Sequence, residues 1–278
     1  MQIKLTKLSS LQFLQVLRFG ALFLGSVCIA KLVKNTHLVG EFENLVLVGS
    51  SFTFFWSSGF INTFIPFYQR VATSKKRTTV STTFILLSFF SLVFGSAVFI
   101  LKPFLFEGTY GDFTLYITFA FLTAPTFLTE FIYLSINKPK AIFAYAIVVS
   151  GLHFACVFFP LILGFSITGV LFCLAFLGIS RYLFAASLVL KVAGSFRFDN
   201  ALAKNFLRAS LPVVGTLLLG GSMLYIDSYI VRFNYNTLQF AIFQYGAREL
   251  PFVLLMASAL SNVASAEVAS HHAKGNIL

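Results

Sequence analysis

Charged residues are scarce in this 278-residue sequence, where Asp, Glu, Lys and Arg together make up only 10% of the chain. A soluble domain ordinarily contains about 25% charged residues. The apolar share is 58% and the mean hydropathy is +0.89. The apolar residues come in runs of roughly 20, the length that crosses about 30 Å of hydrocarbon. These absences exclude a soluble fold and predict an all-α polytopic membrane protein.

Residues typical of catalytic and metal sites are also few. The three cysteines all lie inside apolar runs without metal-ligand spacing: Cys28, Cys156 and Cys173. We therefore expect free thiols. His153 lies in the fifth apolar run, whereas His271 and His272 lie near the end of the chain, so the histidines do not form a metal set. No zinc-protease, phosphate-loop or nucleophile-elbow motif is present. The sequence predicts neither an enzyme nor a cofactor.

The distribution of the basic residues indicates the orientation of the chain in the membrane rather than binding to nucleic acid. The net charge is +11, but Lys and Arg occur in short clusters between apolar runs, and no basic face could follow a phosphate backbone. Positively charged connections remain on the cytoplasmic side of a membrane. The most basic connections alternate along the chain: 69–79, 135–140 and 191–206. This alternation predicts that both termini are cytoplasmic.

The apolar runs predict about eight transmembrane helices in two groups. The predicted spans are 11–33, 45–68, 80–103, 114–134, 141–163, 168–190, 207–230 and 240–264. Residues 1–190 are predicted to form a six-helix bundle, and residues 191–206 a cytoplasmic linker loop. Residues 207–278 are predicted to begin a second bundle, which is incomplete. A gapless similarity between FGALFLGSV, from Phe19, and VGTLLLGGS, from Val214, supports two parallel repeats.

Two stretches resemble a known family of transporters. GEFENLVLVGSSFTFFWSSGFINTFIPFYQR, from Gly40 to Arg70, resembles the second helix of the oligosaccharide lipid flippases. These are the Wzx-type polysaccharide exporters related to the multidrug and toxic compound extrusion transporters. Residues 211–269 are similar to the family's seventh and eighth helices, with a proline at the start (Pro212), an acidic residue near the outer end (Asp227) and a Tyr-Gly-Ala-Arg step (245–248).

The resemblance implies a transport function and also implies that some of the family's helices are missing from this chain. It implies a transporter that flips a lipid-linked oligosaccharide, a polysaccharide or O-antigen repeat unit, across the bacterial inner membrane by alternating access. The implied partners are an undecaprenyl-diphosphate type lipid, membrane lipids, and H⁺ or Na⁺ as coupling ion. Members of the family have twelve to fourteen helices, so the resemblance implies that this chain, ending in KGNIL, is truncated.

Charges inside the apolar runs are the candidate substrate-binding residues, because each costs roughly 2.5 to 3.5 kcal/mol at mid-membrane. They are Arg18, Arg181, Asp227, Arg248 and Glu249. A guanidinium is suited to bidentate binding of a diphosphate. For Arg18 and Arg181 the alternative is snorkelling or an ion pair with a nearby acid. Arg248 and Glu249 point about 100° apart on a helix and need separate partners. For Asp227 the alternative is solvation at the interface.

Three further residues carry weaker expectations. Glu130 lies near the inner end of the fourth span, within reach of Lys138 or Lys140, and interfacial solvation accounts for it. Pro125 and Pro212 are expected to kink or loosen their helices and free backbone carbonyls.

Three rival functions remain open at the level of sequence. A multidrug or cation antiporter of the same superfamily should have acidic residues in its cavity. Here most of the charged residues at the centre of the predicted spans are basic. A membrane polymerase or glycosyltransferase would need a sizeable outer loop or an acidic catalytic motif in a polar segment, and no outer loop here is long. The third rival is an inactive truncated fragment.

Overall fold

The computed structural model describes residues 7–246 and four separate positions beyond them, 260, 261, 264 and 268. Residues 7–246 form helices joined by short connections. The α-helices are α1 (Lys7–Leu32), α2 (Thr36–Arg70), α3 (Lys76–Leu105), α4 (Tyr110–Thr123), α5 (Leu128–Ser135), α6 (Pro139–Ile162), α7 (Ile167–Ala193), α8 (Asn200–Asn234) and α9 (Thr237–Gly246). Two 3₁₀ turns, Thr73–Lys75 and Ala124–Phe127, precede α3 and α5.

Seven helical segments in the described part of the chain are long and apolar enough to cross a membrane. One of them, Tyr110–Ser135, combines α4, a 3₁₀ turn and α5. The first seven predicted spans each correspond to one of these segments. The eighth, 240–264, overlaps α9 at its start, and most of it lies outside the described residues. The chain is thus an all-α, multi-pass membrane protein, as predicted.

Two helices are longer than the apolar runs that predicted them. α2 and α8 each contain 35 residues, which is about 52 Å at 1.5 Å per residue and exceeds the roughly 30 Å of hydrocarbon. The Asn35 side chain accepts a hydrogen bond from the amide of His37 and starts α2. The Asp199 carboxylate accepts from the amides of Ala201 and Leu202 and starts α8. Since α8 begins there, the non-helical connection is 194–199, shorter than the predicted 191–206 linker.

The packing order of the helices differs from their order in the chain. α1 packs mainly against α6, α4 against α7, and α2 against both α8 and α9. The buried residues of α8 all lie in its first third: Leu202, Ala203, Phe206 and Ser210. The remainder of α8 is attached to the other helices chiefly along α2, where the Tyr229 hydroxyl lies 2.7 Å from the Ser51 hydroxyl.

The connections define two ends of the molecule. The basic end holds connections 71–75, 136–138 and 194–199, and the opposite end holds 33–35, 106–109, 163–166 and 235–236. At the basic end, Lys75 lies 3.8 Å from the Asp199 carboxylate. At the opposite end, Arg232 near the end of α8 lies 3.5 Å from the Glu107 carboxylate. Ion pairs therefore join both ends of α8 to earlier connections of the chain.

Candidate functional site

A cavity lined in part by charged and polar side chains lies between α1, α2, α4, α6 and α7, within the membrane-spanning part of the bundle. Its volume is about 160 Å³. Its polar lining consists of Arg18, Ser50, Thr53, Tyr116, Thr123, Ser150, His153 and Arg181. The two arginines, from α1 and α7, are its only charged lining residues among those that the structure describes. We call it the arginine cavity.

Arg181 is a buried cation that has no acidic partner among the described residues. Its exposed fraction is 8%, and its guanidinium donates a hydrogen bond to the Thr126 hydroxyl at 3.0 Å. Within the part of the chain that the structure describes, its Nε has no hydrogen-bond partner, and no carboxylate lies within salt-bridge distance of it. A buried charge without a counter-ion is costly. The arginine cavity therefore favours an anionic occupant.

The position of Arg181 follows from a close approach of α7 to α4. A Cβ atom at Gly178 would lie 3.0 Å from the Cα of Phe119, so a larger side chain would push the helices apart. Arg181 follows three residues later, on the same face of α7. This glycine contact brings the guanidinium within reach of Thr126.

The segment that receives Arg181 is broken at Pro125. Pro125 has no amide hydrogen to donate to a helix, and the chain forms the 3₁₀ turn Ala124–Phe127 there. The Thr126 hydroxyl donates to the carbonyl of Thr123 at 2.6 Å. The hydroxyl of Thr123 itself has no partner among the described residues and lines the arginine cavity. The expected loosening at Pro125 is confirmed, whereas Pro212 lies inside the unbroken α8.

Arg18 is held by an acid from a distant part of the chain. Its guanidinium donates to the carboxylate of Glu130 on α5 and lies 4.9 Å from the ring centre of Phe127. Glu130 is buried, with an exposed fraction of 4%. The expectation that interfacial solvation with Lys138 or Lys140 accounts for Glu130 is therefore wrong. Arg18 thus lines the cavity as a candidate substrate-binding residue, and it also forms an ion pair, the alternative that the sequence left open.

A second, mostly apolar cavity adjoins the first. Its volume is about 240 Å³, and the two cavities share Leu22, Tyr116, Phe119 and His153. The His153 ring packs beside Phe119, with ring centres 5.7 Å apart. The second cavity has no charged lining residue among those described. A cavity lined by two arginines beside one lined by no described charged residue suits a ligand with an anionic group and a hydrophobic part.

A larger cavity lies elsewhere in the bundle. An open groove of about 910 Å³ lies between α3, α4 and α7. Its lining is mainly apolar and, in the described part of the chain, carries no charged side chain. Its polar centre is a hydrogen bond of 3.0 Å between the hydroxyls of Tyr182 and Ser88. We call it the lateral groove; without a cation it is a poorer site for an anion than the smaller arginine cavity.

The structure brings together two of the five predicted site residues, Arg18 and Arg181. Asp227 is exposed on α8 and lines neither the arginine cavity nor its neighbour. Arg248 and Glu249 lie outside the described residues. Sequence reasoning did not find the other polar lining residues, of which Thr123 could have been noticed from the threonines that flank Pro125.

Metal chemistry has no candidate centre in residues 7–246. No group of three or more His, Cys, Asp or Glu side chains is placed there to hold a metal ion. The polar groups of the arginine cavity are instead cations and hydrogen-bond donors, which suit phosphate or carboxylate oxygens.

Comparisons with protein-family models, with curated proteins and with solved structures found no match to this chain. The resemblance to the oligosaccharide lipid flippases therefore rests on the residues quoted above and stays a prediction.

Proposed function

We propose that this protein is a transporter that flips a lipid-linked oligosaccharide of the undecaprenyl-diphosphate type across the bacterial inner membrane. The observation that carries the proposal is Arg181, a buried guanidinium that faces a cavity within the membrane-spanning bundle and has no carboxylate partner among the described residues. A diphosphate offers the oxygens that this guanidinium lacks. In the proposal, the basic end is cytoplasmic.

The size of the cavity supports a role in binding the charged group rather than the sugars. Pockets for drug-sized ligands have volumes of roughly 300 to 1,000 Å³, and the arginine cavity has about 160 Å³. In the conformation described, it has room for an anionic group. The oligosaccharide would pass when two bundles rock apart in alternating access. The adjoining apolar cavity would take the first part of the lipid chain.

A cation antiporter of the same superfamily is less well supported. Such a transporter needs a carboxylate free to bind a proton, a sodium ion or a cationic drug. Two carboxylates are buried among the described residues: Glu130, which is bound to Arg18, and Glu43, which interacts electrostatically with Tyr116. Neither lines the arginine cavity. With Arg181 included, the cavity favours anions over cations.

A translocation assay tests the proposal. Proteoliposomes would carry a fluorescent disaccharide linked to a polyprenyl diphosphate in one leaflet, and arrival in the other leaflet would be followed with a membrane-impermeant quencher. We expect transport by the wild type and its loss in Arg181→Ala. Arg208→Ala is the matched control, since Arg208 is exposed and lies outside the cavity. Equal transport by wild type and Arg181→Ala would refute the proposal.

A further inference from the structure

We infer that Glu130 is a built-in counter-anion that the ligand's phosphate displaces from Arg18. The inference rests on the proposed function, because it requires an anionic ligand in the arginine cavity. It assigns to Glu130 control over how tightly that ligand binds. Glu130 is a positioning residue here: it acts on the ligand through Arg18.

The two arginines of the cavity are in different states. Arg181 donates to a hydroxyl, and its Nε has no partner among the described residues, so it is available to bind an anion. Arg18 is occupied by Glu130 and stacked near Phe127. A diphosphate carries more than one negative charge, and a single guanidinium does not balance it. Full binding therefore recruits Arg18, and the phosphate competes with Glu130 for it.

Displacement has a consequence for the proton balance. Glu130 is only 4% exposed, and a buried carboxylate without a cation is costly. The released carboxylate therefore binds a proton from water. The Arg18–Glu130 ion pair is replaced by an Arg18–phosphate pair and a neutral acid. One proton is bound for each ligand.

The other titratable groups that line the cavity come from three helices. They are Tyr116 from α4, His153 from α6 and Arg181 from α7. α2 contributes only Gly49, Ser50 and Thr53 to the cavity. No carboxylate lines the cavity in the part of the chain that the structure describes. Two carboxylates are buried in that part: Glu130, and Glu43 of α2, which interacts electrostatically with Tyr116. The proton is assigned to Glu130 because Glu130 is the one bound to Arg18.

Binding of radiolabelled inorganic pyrophosphate to the purified chain tests the inference. We expect Glu130→Gln to bind pyrophosphate at least about fivefold more tightly than the wild type, a typical coupling between linked events. Arg18→Ala in the Glu130→Gln background should remove this gain. Glu107→Gln is the matched control, because Glu107 also faces an arginine, Arg232, but at the opposite end. It should bind as the wild type does.

Three outcomes separate the claims. Unchanged or weaker binding by a folded Glu130→Gln, or a gain that persists without Arg18, would overturn the inference. If the wild type still binds pyrophosphate through Arg181, the proposed function survives that result. If neither the wild type nor Glu130→Gln binds pyrophosphate, the proposed function fails as well.

A measurement on the wild type covers the case in which Glu130→Gln does not fold. Dicyclohexylcarbodiimide modifies protonated carboxyl groups within membranes. Pyrophosphate should increase its reaction with Glu130, because displacement from Arg18 protonates the carboxylate. Labelling that stays the same or falls as pyrophosphate is added would contradict the inference.

Discussion

Arg18 and Glu130 form an ion pair within the bundle although 112 positions separate them in the chain. The pair joins α1 to α5 and places one cation of the arginine cavity under the control of an acid. Arg181, on the other side of the same cavity, has no such acid among the described residues. Within the described part of the chain, the site therefore contains one guanidinium that is paired with a carboxylate and one that is not.

Removing the two members of the pair should have unequal effects on stability. The Glu130 side chain is 5% exposed and that of Arg18 is 29% exposed. Arg18→Ala leaves a buried carboxylate alone and should lower the free energy of unfolding by about 3 kcal/mol. Glu130→Gln leaves a cation that solvent reaches more easily, and should cost less. A double-mutant cycle in detergent measures both; equal losses would contradict this assignment.

Replacing Arg181 should separate stability from binding. A buried charge without an ion pair is unfavourable, so Arg181→Met, of similar length, should leave the free energy of unfolding unchanged or raise it by about 1 kcal/mol. In the same variant, the affinity for a diphosphate should fall by at least about tenfold. Thermal unfolding and equilibrium binding on one sample measure both effects. A loss of stability together with unaltered binding would show that Arg181 is structural.

The contact between α2 and α8 should depend on Gly59. A methyl group at Gly59 would overlap the Val214 side chain and lie 3.0 Å from its Cα. Gly59→Ala should therefore lower the free energy of unfolding by about 1 to 3 kcal/mol. Gly215→Ala, one residue after Val214, has open space around it and should stabilise α8 by about 0.5 to 1 kcal/mol. The same sign for both substitutions in thermal unfolding would contradict the packing of α8.

The start of α8 should make stability depend on pH in acid. The amides of Leu202 and Ala201 and the charge of Lys75 hold the pKa of Asp199 below its usual value of 3.8. The stabilisation that the ionised Asp199 carboxylate adds to the free energy of unfolding is thus fully present above about pH 3.8. It is lost as the pH falls through the lowered pKa of Asp199.

Asp199→Asn isolates this charge, because an asparagine can still cap the helix. Its unfolding temperature should lie below that of the wild type at neutral pH, and the difference should disappear in acid. A difference that stays constant down to about pH 2 would contradict the role of the charge.

The spans could be predicted from the sequence because the membrane demands long apolar runs. Their ends could not, since caps such as Asn35 and Asp199 extend α2 and α8 into polar sequence. The break at Pro125 was predictable, because a proline cannot complete the helical hydrogen bonds.

The candidate site was only partly predictable. Intramembrane arginines stand out in the sequence because they are costly there, so Arg18 and Arg181 were found. The ion pair of Arg18 could not be predicted. Its partner Glu130 is 112 positions away in the chain and has Lys138 and Lys140 as basic neighbours in the sequence. Which helices pack together decides such pairs, and α1 against α6 is not readable from the apolar runs.

The most direct test of the arginine cavity maps where the diphosphate lies. A polyprenyl diphosphate-linked sugar with a photoreactive group beside the phosphates would be crosslinked to the protein in liposomes, and the adducts located by mass spectrometry. We expect adducts on the cavity residues Phe119, Ser150 and His153, and we expect them to be strongly reduced in Arg181→Met. Adducts confined to the lateral groove around Ser88 and Tyr182, unchanged in Arg181→Met, would contradict it.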